Sequence, residues 1–232
     1  MATLNEITYD LINLVRGGKT SDDELISTDQ IKFWVHNTRS MLIRRDLAKR
    51  RTISDNIKQI LPCVEVEMVD PTLCCGVTTE CTMLRSKQRV PLPIETPSRD
   101  MILEVRPLKI TDPTFHYIPY NRISWAGNNR YTKRLQFAFM LDGFMYVMGD
   151  DINLLEKIAI IGLFSDPTDV ARFYTCEDTP CYNDDDVDYP ISAHMIEEMK
   201  NMIIQNNFQT LLQVQTDSQG NAKHDVKPNQ TM

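Results

Sequence analysis

The sequence predicts an α+β fold, with helices at both ends of a β-rich middle in one compact unit. Three observations carry this. Apolar residues recur at three- and four-residue intervals through the first fifty positions, alternate strictly at Val64, Val66 and Met68, and return to helical spacing after Ser192. Six of the twelve prolines, at 91, 93, 97, 107, 113 and 119, cut the middle into short segments. Apolar residues make up 42% and charged residues 25% of the 232, the composition of a globular protein. A chain of this length buries roughly 70% of its unfolded surface and needs no covalent or metal staple.

The elements follow in order. Thr3 can cap a first helix through about Val15, with Leu4, Ile7, Leu11 and Leu14 or Val15 on one stripe and Gly17-Gly18 as its stop. After a polar loop, Ser27 and Gln30 form a capping box with Asp29 beside the helix's positive end. The second helix runs to about Arg51 with Ile31, Trp34, Val35, Thr38, Met41, Leu42 and Arg45 at helical spacing. Two long apolar stripes so close in sequence predict a helical hairpin over residues 1–58. The middle, 59–174, reads as short antiparallel strands: one around Val64 to Met68, then Gly76–Leu84, Gln88–Ile94 and Met101–Arg106. The clearest hairpin is Arg134–Met140 and Phe144–Met148 about Leu141-Asp142-Gly143, because Asp-Gly supplies the positive φ of a tight turn. Leu154 to Phe164 predicts a buried strand, and Asp166 to Phe173 a short helix. Residues 175–214 hold an acidic loop and a last helix capped by Ser192, with Met195, Ile196, Met199, Met202, Ile203 and Phe208 as its stripe. Residues 1–214 are thus expected to form a single domain, and polar residues 215–232 a flexible tail.

The longest apolar run, Ile158 to Phe164, is far short of the ~20 residues that span a bilayer, and the opening has no signal-peptide pattern. A soluble, unsecreted chain is the expectation. Its six cysteines, Cys63, Cys74, Cys75, Cys81, Cys176 and Cys181, are then expected to be reduced and mostly buried. None forms the paired C-x₂-C spacing of a zinc site.

Net charge is −7 but unevenly placed. Arg39 to Lys58 holds seven basic residues against two acids, Thr82 to Arg134 ten against four, and Glu177 to Met199 eight carboxylates with no Lys or Arg. Opposite patches can steer association between copies, although solvated faces of separate elements would look the same in sequence. The Arg39–Arg51 segment is a candidate for phosphate contact, against which stands the acidic total. Catalytic signals are weak. Gly18-Lys19-Thr20 lacks the first glycine and preceding strand of a phosphate loop. His36, His116, His194 and His224 show no metal spacing, and no G-x-S-x-G occurs. No catalytic, cofactor-binding or metal-binding residue is assigned, no cofactor is expected, and the expectation is a non-enzyme.

The opening Thr3–Gly18 (TLNEITYDLINLVRGG), followed by Ser21–Ser27 (SDDELIS) and the Gln30–Asp46 helix ending LIRRD, resembles structural proteins of crAss-like bacteriophages, in particular ring or neck proteins of the head-to-tail connector. Leu84–Lys87 and Ile161–Pro167 share the likeness. The resemblance implies a non-enzymatic virion component: a ring below the portal of a short-tailed phage that continues the DNA exit channel. Twelve copies, contact with the portal and adjacent tail or neck proteins, non-specific proximity to DNA, no membrane, and assembly in the host cytoplasm are its further implications. A tail hub protein, or in a different class a small phage DNA-binding regulator, are the alternatives.

Overall fold

The computed structural model describes residues 2–16, 26–49, 52, 54–70, 83–97, 100–109, 112–126, 131–132, 134–149, 152, 154–171, 173 and 187–208. Helix α1 (Leu4–Arg16) starts at a reciprocal cap. Thr3 Oγ1 accepts from the Glu6 amide (3.1 Å), and the Glu6 carboxylate accepts from the Thr3 amide (3.0 Å). Leu4, Ile7, Leu11 and Ile12 are buried, and of the two residues offered for the end of the stripe Val15 packs half-buried on the same cluster while Leu14 is 62% exposed. Helix α2 (Thr28–Ala48) is capped by Ser27 Oγ accepting from the Gln30 amide (3.2 Å), and it stops three residues short of Arg51. The residues joining α1 to α2, on which the expected hairpin turns, fall outside the described residues. Both helices share one apolar cluster with a C-terminal helix, Ala193–Ile203.

The β-rich middle departs from the expected set of short antiparallel strands. It is one mixed, nearly closed seven-stranded sheet: β1 (Gln59–Val69), β2 (Met83–Ser86), β3 (Ile102–Pro107), β4 (His116–Tyr117), β5 (Phe137–Leu141), β6 (Phe144–Met148) and β7 (Lys157–Gly162), ordered β3-β7-β1-β2-β6-β5-β4. The β4–β5 pair is parallel and the other pairs are antiparallel. The two ends of the order meet where Phe115 bridges to Val105, its amide donating to the Val105 carbonyl at 2.8 Å. Strand β1 reaches eleven residues because Pro62 sits where the β1–β7 register shifts, between Leu61 and Val64, so the missing N–H breaks no regular ladder bond. The Gln88–Ile94 strand does not form. Pro91 and Pro93 leave isolated bridges there, Pro93 to Phe164 and, just beyond, Glu95 to Asp100. Most of the Gly76–Leu84 segment lies outside the described residues, and β2 begins at Met83.

Alternation along the strands separates two cores. Val64, Val66, Leu84, Val105, Ala138, Met145, Val147, Ile158 and Ile160 fill the inside of the sheet. On the outside of β2, β5 and β6, Met83, Phe137, Phe139, Tyr146 and Met148 are covered by Ile123 of a 3₁₀ helix, Tyr120–Trp125. The Asp142–Gly143 turn has positive φ at both residues, 51° and 81°, as a two-residue hairpin requires. Short helix α3 (Pro167–Ala171) follows β7, and Asp166 Oδ1 accepts from the Thr168 amide (2.8 Å) at its start. Helix α4 (Ala193–Ile203) follows Ser192, whose side chain makes no capping bond, and continues as a π-helical turn, Ile204–Phe208. Phe208 is buried with its ring edge-on to Trp34 at 5.2 Å. Residues 209–232, including the expected tail, are outside the described residues. Against the expectation of reduced thiols, Cys63 is disulfide-bonded, to a partner outside the described residues.

Candidate assembly surfaces

The Arg39–Arg51 segment is not the open basic face that its charge count predicts. Arg39 is fully buried. Its guanidinium donates to the carbonyls of Pro190 and Phe164, both at 2.7 Å, and to Gln59 Oε1 at 3.3 Å. It also lies 5.7 Å from the centre of the Tyr189 ring. Arg39 thereby joins α2 to the start of β1, the end of β7 and the segment entering α4. Burial works against its charge, offset by Tyr189 and Asp166, and the three acceptors replace water around it. Arg45 is bound by both carboxylate oxygens of Glu198, the Nη2–Oε2 bond being 2.6 Å. Arg44 and Lys49 remain exposed, while Arg50 and Arg51 are outside the described residues.

Tyr189 links the same elements a second time. Its hydroxyl is 2.8 Å from His36 Nδ1, and His36 Nε2 is 3.8 Å from Asp166. Burial raises the Tyr189 pKa far above its ordinary value. Tyr117 is raised for the same reason, with Asp100 3.0 Å from its hydroxyl adding to the effect. Buried Tyr189 and half-buried Tyr117 stay protonated and act as hydrogen-bonding packing residues.

The basic middle divides. Arg85 pairs with Glu67 (2.5 Å), Lys87 with Glu65 (2.9 Å), and Arg106 lies 3.8 Å from Glu104. These are intrasheet pairs on neighbouring or alternate positions. Beyond them, Arg122 and Arg134 are exposed on the loop between β4 and β5, as are Trp125 (79%) and Tyr131 (81%). Sequence reasoning marked the charge there but not the aromatic pair. The acidic stretch is described only from residue 187 onward: Asp188 and Glu197 are exposed, and Glu198 is the partner of Arg45.

Among the concavities formed by described residues, three lie at junctions between elements. One of about 340 Å³ lies between the end of α2 and the start of α4, where His194 Nε2 is 3.5 Å from Asp46. A second, of about 530 Å³, lies where the β3–β4 loop meets residues 152–157. The third, about 150 Å³, sits between the start of β1 and Pro190. Among the described residues, no group of three or more His, Cys, Asp and Glu could hold a metal ion, and no helix is long and apolar enough to cross a membrane. His116 is exposed beside Phe137. His224, the Gly18-Lys19-Thr20 segment and every cysteine but Cys63 lie outside the described residues.

A protein-family model described as phage tail ring protein 2, of the crAss-like phages, matches residues 6–226. No curated protein matches the chain.

Proposed function

The chain belongs to the phage tail ring protein 2 family, and from that premise we propose that it forms a ring in the head-to-tail connector, below the portal of a short-tailed crAss-like phage. Family membership makes it a structural virion component that assembles with other phage proteins. The finer reading is that its copies, twelve if they match the portal, close into a neck ring that continues the DNA exit channel, without enzymatic activity. The observation that carries it is the match over nearly the whole chain, so that the ring-forming unit includes both the helices and the sheet. A closed ring repeats one heterologous contact, which requires two unlike faces on each subunit. Uneven charge supports that requirement. Against the regulator alternative, Arg39 and Arg45 of the basic segment are engaged within the fold.

The test is the mass of the purified protein, alone and mixed with the portal of the same phage. A ring, or a portal complex of matching copy number, is the expected result. A species that stays monomeric or dimeric at all concentrations and ignores the portal overturns the reading.

A further inference from the structure

The described residues of the loop between β4 and β5, 118–126, 131–132 and 134–136, carry two exposed aromatic side chains. Its 3₁₀ helix is held down at Ile123, which is 6% exposed, and at Tyr120, whose ring lies 5.9 Å from that of Phe139. Backbone bonds fix its entry and exit: Ile118 donates to the Ala138 carbonyl (2.9 Å), Ala126 to Ile123 (3.0 Å) and Leu135 to Thr132 (3.0 Å). From this fixed base Trp125 and Tyr131 stand out as two of the three most exposed large apolar side chains among the described residues. Tryptophan, tyrosine and arginine are the residue types that dominate binding energy at interfaces, and a rigid base lowers the ordering cost of using them.

The charge around them is one-sided. Between Pro113 and Leu141 lie four of the 25 Lys and Arg, namely Arg122, Arg130, Lys133 and Arg134, and none of the 32 carboxylates. The rest of the chain is therefore more acidic than the whole. Another copy attracts this loop, whereas the total of −7 repels a polyanion.

A receiving face lies on the helical part of the molecule. Helices α1, α2 and α4 pack at strand ends, sharing a core with Ile57 before β1, Met101 before β3 and Leu163 after β7. There Asp188 bridges to Thr3, at the start of α1, and exposed Glu6, Tyr9 and Asp10 follow along the helix. Lys200 ties this row to exposed Glu197, donating to Asp10 at 2.9 Å and to Glu197 at 3.4 Å. The face carries an excess of carboxylates, the opposite of the loop, and a closed ring repeats a contact between two unlike faces.

We propose that the β4–β5 loop of one copy docks on the α1/α4 face of the next, with Trp125 and Tyr131 as anchors and Arg122 and Arg134 facing the carboxylates of that face. This rests on the ring reading above. The experiment measures ring formation of the full chain by native mass against protein concentration. Three forms are compared with the wild type: Trp125→Ala/Tyr131→Ala, Arg122→Glu/Arg134→Glu, and the latter combined with Asp188→Lys/Glu197→Lys. Each loop variant is expected to raise the concentration needed for assembly about tenfold or more, with an unchanged melting temperature, and the combined form is expected to recover most of that loss. Unaltered assembly of both loop variants overturns the docking role while leaving the ring intact. Loss without recovery overturns the assignment of the α1/α4 face. A wild type that never assembles instead defeats the ring reading itself. If both loop variants assemble normally but lose a salt-sensitive affinity for a duplex DNA fragment that the wild type shows, the loop is a nucleic-acid contact and the proposal falls.

Discussion

Arg39 and Arg45 lie six residues apart on α2, yet magnitudes assign them different importance. Arg39 is fully buried and its hydrogen bonds run to three neutral oxygens from three separate segments. Truncation to alanine leaves the Phe164 and Pro190 carbonyls without this donor and opens a cavity at the junction of α2, the sheet and the entry to α4. The expected loss is about 3–5 kcal/mol in urea unfolding. Arg45 and Glu198 make a bidentate pair, but their side chains are 37% and 42% exposed. Solvent screening reduces such a pair, and Glu198→Ala is expected to cost far less than Arg39→Ala in the same measurement. Equal losses for the two variants would contradict this division. The buried tyrosines give a pH signature with a definite sign. An unfolded tyrosine releases its proton near ~10, while Tyr189 and Tyr117 are held above that by burial. Above the unfolded value the folded state retains more protons. The stabilising contribution is therefore complete below pH ~10 and is lost progressively as pH rises from there toward the folded values. Denaturation midpoints measured from pH 8 to 11 should fall over the upper part of that range, and Tyr117→Phe should flatten the fall.

At the scale of elements, local signals were legible in the sequence and long-range closure was not. The Asp142–Gly143 hairpin was readable because a two-residue turn needs positive φ and both residues lie next to alternating strands. Gly143→Ala should cost about 1–2 kcal/mol from backbone strain. Space does not oppose it, since a Cβ there would meet only the Arg89 side chain, at 3.7 Å. Gly162 differs: a Cβ would lie 3.0 Å from the Met101 carbonyl oxygen, so Gly162→Ala must push β7 from the chain entering β3. That substitution is expected to destabilise by crowding, which a melting series on both variants would reveal. The cap at Ser27 was also legible, being a contact three residues long. Closure of the sheet was hidden, because β4 has two residues, pairs in parallel with β5, and is joined to β3 by the Val105–Phe115 bridge. No periodicity announces a two-residue strand. Burial on α2 was misread for a different reason. Between neighbouring helices and the sheet the helix is enclosed on several sides, so Arg39, Ser40 and Asp46 are inside along with the expected Thr38, while Met41 is 45% exposed. A polar side chain that finds buried acceptors looks, in sequence, like a surface residue. For the same reason the charge runs do not by themselves mark exposed charge. Charge counting cannot separate Arg85 and Lys87, paired across the sheet, from exposed Arg122 and Arg134.

For the whole molecule, the proposed contact between the β4–β5 loop and the α1/α4 face predicts ring assembly that depends on ionic strength. Charged groups at the rim of a contact gain from mutual attraction that salt screens, with a Debye length of about 10 Å at 0.1 M and about 3 Å at 1 M. Apolar burial by Trp125 and Tyr131 is not weakened in that way. Assembly held by both should need more protein as salt rises from 0.1 to 0.5 M, and then level off as the charged part is exhausted. Arg122→Glu/Arg134→Glu should remove or reverse the salt dependence, since repulsion between like charges is itself screened. Trp125→Ala/Tyr131→Ala should keep the slope and shift the whole curve to higher concentration. Native mass measured across the salt series separates these behaviours. A wild-type ring whose assembly is indifferent to salt would place the contact on an uncharged face, such as the exposed strip of α2 bearing Phe33 and Met41.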